Sequence, residues 1–315
     1  MSGLAAAGLI ALLMASGAVT TGCSTNPATG RRSLTLLSWE HERALGAEAA
    51  PQLTQEFGGE VKDEQLRAFT RRVGESMIPH IESGVPELDW EFIMLDSDVI
   101  NAFALPGGKV YITRDLASRM TNEAQFAAVI GHEIGHVTAR HGNQRISNQI
   151  GFNVLLAGLA IGVGVSDQDS SFRRYGEVGL PALAIGGNLV LLSYGRNEEL
   201  EADMLGVRYM TGAGYDPIGA LQVQQLLGSL AGGERPPEFL STHPHSETRI
   251  DAINKLLRGE YAHTQNNPEF RTYEDRYQRE VLSRIRPRAS ADGSFNLAHS
   301  ASWCLHCAMA EAGQE

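Results

Sequence analysis

Three cysteines in 315 residues are too few for a disulfide framework, so a packed core has to hold the chain together. With 43% hydrophobic residues there is apolar material for one or two ordinary domains. Cations are also scarce: Lys and Arg number 26 against 37 Asp and Glu, a formal net charge of -11. An acidic surface of this kind repels phosphate backbones, which excludes nucleic acid as a partner. No 34-residue repeat is present, which excludes a tetratricopeptide array. Charge of either sign is missing from residues 1–22, and within that head Leu4 to Val19 is an apolar run rich in Ala, Leu and Gly. The run is short for a membrane span and of the right length for a signal-peptide core.

Cys23 follows the small residues Thr20-Thr21-Gly22 directly, the position of an acylated lipoprotein cysteine. Acyl chains there would anchor the protein by burying methylenes at about 0.8 kcal/mol each. Ser24 after the cysteine resembles bacterial lipoproteins sent to the outer membrane, facing the periplasm. The expected organisation is a signal peptide over 1–22, a lipidated tether over 23–37, a catalytic domain over 38–257, an amphipathic extension over 258–290 and a disordered tail over 291–315. The tail holds the pair Cys304 and Cys307, to which the spacing assigns no catalytic role.

Ser38 is placed to cap a first helix, and Leu66, Phe69, Val73, Met77 and Ile78 recur at helical steps in a second that stops at Pro79. Trp90 to Leu95 and Ala102 to Thr113 favour strands, the latter broken by the turn Pro106-Gly107-Gly108. Thr121 is placed to cap the next helix, which carries an apolar stripe through Phe126, Val129, Ile130, Ile134 and Val137. That helix contains His132-Glu133-Ile134-Gly135-His136. Residues four apart share one helix face, so both imidazoles reach one metal ion, and Glu133 is placed to act as general base toward a water on it. Gly135 permits close packing of a neighbour.

A catalytic zinc requires a third protein ligand and an open position. Glu198, Glu199, Glu201, Asp203, His141, His243 and His245 are the candidates. Glu199 and Asp203 lie one turn apart, so one can ligate while the other accepts a hydrogen bond from a ligand imidazole. Spacing alone does not separate Glu199 from Glu201. Phe152 to Val165 and Val178 to Leu192 are apolar, Gly-rich and each short of a span; they read as helices packed over the metal helix. Phe270 to Ile285 reads as an amphipathic helix docked on the body.

The motif His132-Glu133-Ile134-Gly135-His136, then Arg196-Asn197-Glu198-Glu199-Leu200-Glu201-Ala202-Asp203, then His243-Pro244 with Arg249-Ile250 resembles the HtpX-like and BepA-like zinc metalloproteases. Kin of that family include the Oma-type and CAAX prenyl endopeptidases, and the likeness runs from about Asn26 to Leu257. It implies an α+β, mostly helical, zincin-like (gluzincin) fold with a small antiparallel sheet on the metal helix. It implies one zinc per chain held by His132, His136 and Glu199, with Asp203 supporting a ligand. Asn101, Ala102, Phe103 and Ala104 resemble the family's edge strand over the cleft, where a peptide adds as an extra strand. His243 matches a histidine near the metal that fills the open position or assists the transition state, and Arg249 matches an arginine placed for the oxyanion. The implied activity is endoproteolysis of misfolded or misassembled envelope proteins, with envelope assembly machinery as partner. The rival is a metal-stabilised, chaperone-like binding lipoprotein kept latent by His243.

Overall fold

A computed structural model describes residues 23–149, 193–231, 237–244 and 246–285. The signal-peptide head, the two apolar runs between Phe152 and Leu192, His245 and the Cys304/Cys307 tail lie outside the described residues. Among the described residues no helix is long and apolar enough to cross a membrane.

Helix α1 (Trp39–Glu56) starts at Ser38, whose hydroxyl accepts from the His41 amide at 3.2 Å. Helix α2 (Glu64–Met77) is capped by Asp63 and buries the expected stripe of Leu66, Phe69, Val73 and Met77 before a single 3₁₀ turn carries Pro79. Ahead of α1, β1 (Cys23–Thr25) and β2 (Arg32–Leu34) form a two-stranded ribbon. Between and after these strands the chain is stitched to the body. The Asn26 side chain donates to Thr138 O at 2.9 Å, and Leu37 O accepts from Arg140 at 2.5 Å and from Asn143 at 2.8 Å. The segment read from sequence as a tether thus packs on the body from Asn26 onward.

Three strands make the central sheet: β3 (Glu91–Leu95), β4 (Ala102–Leu105) and β5 (Lys109–Thr113), in the order β3-β5-β4. Gly107 and Gly108 take φ of 88° and 104°, a left-handed turn that closes the antiparallel β4–β5 hairpin. β3 joins the other edge of β5 in parallel, so the sheet is mixed rather than purely antiparallel. The tight turn places β4 on one side of β5, and β3 pairs with the other side. β5 is accordingly buried at all five positions, and among the described residues β4 has no strand partner on its other edge.

After α3 (Arg114–Arg119) comes α4 (Glu123–Thr138), buried at every one of its 16 residues. Its cap is Asn122, not Thr121: Asn122 has the extended backbone of a cap and its side chain accepts from the Gln125 amide at 3.0 Å. Thr121, one residue too early, instead donates its own amide to the Gln125 side chain. A helical stretch at 141–149 follows. Helices α5 (Arg196–Gly212) and α6 (Ile218–Ala231) pack against α4, and α7 (Glu247–Arg258) closes over α5 and α6. Near the end, Glu274–Tyr277 and Gln278–Leu282 form one helical segment that docks Tyr277, Val281 and Ile285 into the core. It begins later than Phe270 because Tyr273 adopts a left-handed conformation, φ 52°.

Candidate active site

The chemistry collects where α4 and α5 touch. Gly135 faces Ala202, and a Cβ there would stand 2.9 Å from Ala202 O, which shows how close the two backbones run. This approach lets His132 and His136 on α4 meet Glu199 and Asp203 on α5. His243 arrives from a one-turn helix (Phe239–Thr242), with its amide on Phe239 O at 2.7 Å and its ring stacked on Phe239 at 4.4 Å.

Ligand atoms of His132, His136, Glu199 and His243 all lie within 4.8 Å of one another, and all four residues are buried. The two Nε2 atoms of His132 and His136 are 3.0 Å apart, and Glu199 Oε1 is 3.4 Å from His136 Nε2 and 3.0 Å from His243 Nδ1. Two imidazole nitrogens with a carboxylate are the donors that zinc takes, so the residues present fit such an ion. Glu133, next to this cluster, has a buried oxygen, Oε1, without a hydrogen-bond partner. Burial raises its pKa, against the pull of His243 and His132.

Asp203 sits behind His132, with Oδ1 3.0 Å from Nδ1. Arg249, from the first turn of α7, grips both oxygens of Asp203 at 2.7 Å and places Nη1 2.6 Å from Glu199 Oε2. Burial works against the Asp203 anion, but the Arg249 guanidinium outweighs it and lowers the pKa. Burial likewise opposes the Glu199 anion; the charge of His243 and its hydrogen bond to the carboxylate hold its pKa well below the ordinary value. His136 is pushed well down by burial, which keeps its imidazole neutral and able to offer a lone pair.

The structure separates the candidates that spacing left open. Glu199 joins the ligand cluster, whereas Glu201, on another side of α5, bonds His141 Nε2 at 3.0 Å. Glu198 turns back to the Gly195 amide at 2.7 Å and pairs with Arg145. His141 is buried behind His136 rather than in the cluster. Tyr194, which the sequence reading passed over, lays its ring on His136 with centroids 3.8 Å apart. Nothing in its local sequence marks it, because it is carried into place by the hydrogen bond that its backbone N–H donates to Thr242 O. Asn101 and Ala102 are buried at the start of β4, and Phe103 turns into a small core against Tyr111 and Phe57. Ala104 lines a shallow surface groove together with Leu105, Pro106, His136, Arg140 and Tyr194.

A cluster of His132, His136, Glu199 and His243 with the buried Glu133 at its side, set on a helix pair beside a small sheet, defines a zincin-like metalloprotease scaffold. Residues 64–257 match Peptidase family M48, and the chain belongs to that family. It is 33% identical over 173 residues to the mitochondrial metalloendopeptidase OMA1 of Arabidopsis thaliana, covering 54% of this chain and 31% of the relative. The OMA1 of Schizosaccharomyces pombe is 29% identical over 234 residues, 73% of this chain and 65% of the relative. The beta-barrel assembly-enhancing protease of Escherichia coli is 31% identical over 197 residues, 62% of this chain and 40% of the relative. The matched parts therefore span from 31% to 65% of these relatives' lengths.

Proposed function

We propose that the protein is a zinc metalloendopeptidase. The observation that carries this reading is the Glu133 carboxylate, buried beside the His132, His136 and Glu199 donors with an oxygen that accepts no hydrogen bond. A bound zinc would acidify a water and polarise a peptide carbonyl. Glu133 is placed to accept a proton from an attacking water and return it to the leaving amine, and its burial favours the protonated form it would hold in between. Asp203 holds the His132 ring and is itself held by Arg249. An oxyanion role for Arg249 would require it to release a carboxylate, so we assign it to positioning. The outer edge of β4 and the groove at Ala104 accept an extended peptide as an added strand.

A second reading has its own support: His243 supplies a fourth donor, and closed four-ligand sites are typical of structural zinc. On that reading the chain is a chaperone-like binder or a latent protease. One assay separates the two. Purified protein is incubated with an unfolded substrate beside Glu133→Gln and a chelator-treated sample. Cleavage lost in both supports the enzyme; undiminished cleavage by Glu133→Gln sinks the mechanism, and no cleavage by any sample favours the binder.

The likeness to a beta-barrel assembly-enhancing protease supports misfolded or misassembled envelope proteins as the substrate class, and Cys23 followed by Ser24 supports a place on the periplasmic face of the outer membrane. Anchorage there rests on acylation of Cys23. Radioactive palmitate should label the wild type and not Cys23→Ala; equal labelling would refute the anchor.

A further inference from the structure

Behind the His136 ring lies a second histidine that the proposed reaction does not use. His141 is fully buried, with Nδ1 2.9 Å from His136 Nδ1 and Nε2 3.0 Å from Glu201 Oε2. A carboxylate only accepts, so the hydrogen between His141 and Glu201 sits on His141 Nε2. A neutral His141 then offers a lone pair at Nδ1, and the hydrogen of the next bond has to sit on His136 Nδ1. That leaves His136 Nε2 as a lone pair facing His132 Nε2 and Glu199 Oε1.

The first ligand, His132, has a carboxylate directly on its Nδ1, that of Asp203. The second has none, and an imidazole is interposed between it and Glu201. We propose that His141 and Glu201 are a positioning pair that fixes the tautomer and ring orientation of His136 for metal binding. The pair does for the second ligand what Asp203 and Arg249 do for the first. Tyr194, stacked on His136, bounds one face of the ring and leaves its in-plane position to be set by His141. The inference rests on the metal-site reading above.

Two measurements on the full chain test it. In the first, zinc is titrated into metal-free protein against a fluorescent chelator for wild type, His141→Phe and His141→Gln. Phe keeps a ring and deletes both hydrogen bonds, and its zinc affinity should fall about 10- to 100-fold, the usual cost of losing an outer partner. Gln can accept from His136 and donate to Glu201, and should retain most of the affinity. Wild-type affinity in the Phe variant, or equal losses in both, would overturn the proposal. The second measurement is the long-range ¹H–¹⁵N spectrum of metal-free wild type, in which His136 should carry its proton on Nδ1. A proton on Nε2 would overturn the proposal even if the Phe variant fails to fold. Absence of zinc binding by the wild type would sink the metal reading, and the spectrum distinguishes that failure from failure of the pair.

Discussion

His243 adds a fourth donor to the cluster, where a catalytic zinc site would keep a position open for water. Its Nδ1 is 3.0 Å from Glu199 Oε1 and 3.2 Å from His132 Nε2, and its Nε2 is 3.6 Å from Glu133 Oε1. A side chain that touches both the ligands and the base competes with substrate for all of them. His243→Ala should therefore raise basal cleavage of an unfolded substrate, by about tenfold if the imidazole latch is worth 1.4 kcal/mol. Initial rates at saturating zinc read this directly. A rate that falls instead would mean that His243 assists the reaction.

Helices α4 and α5 meet through glycine on both sides. A Cβ added at Gly206 would stand 2.8 Å from the His132 amide nitrogen and 2.9 Å from the Gly131 carbonyl carbon. Backbone cannot swing aside as a side-chain tip does, so Gly206→Ala has to push α5 away from α4. Because α5 carries Glu199 and Asp203, the same displacement separates the third donor and the support of His132 from the two histidines. The expected result is a loss of about 1–3 kcal/mol in urea denaturation together with weaker zinc binding. Unchanged values of both would show that the close approach is not needed. Part of this was legible beforehand: Gly135 marks a close contact from sequence, whereas its partner is identified only by the packed structure.

At the scale of the whole molecule, the metal helix is pinned at its start by Glu123. Its fully buried carboxylate accepts from Arg72 on α2 at 2.9 Å, from Arg276 in the C-terminal helical segment at 2.6 and 2.7 Å, and from the Tyr215 hydroxyl at 2.9 Å. One anion thus joins three parts of the chain, and the C-terminal extension belongs to the body it helps to hold. Arg72 and Arg276 are 40% and 30% exposed and can regain water, so the loss in Glu123→Ala is less than for a sealed ion pair. About 2–3 kcal/mol is expected by urea denaturation, with faster trypsin cleavage in the segment after Arg271. Wild-type stability and cleavage would refute the role.

The sequence by itself determined what one helix or one turn can encode. His132, Glu133 and His136 were legible because helical periodicity puts positions four apart on one face, and the Pro106-Gly107-Gly108 hairpin because its turn needs glycine conformations. The tertiary structure decided what depends on distances between elements. It placed Glu199 rather than Glu201 in the cluster, set His141 behind His136, brought Tyr194 onto that ring, and joined β3 to β5 in parallel. These outcomes hang on how closely α4 and α5 pack and on which edge of β5 is free. Spacing along the chain does not specify either, because both are set by contacts between residues far apart in sequence.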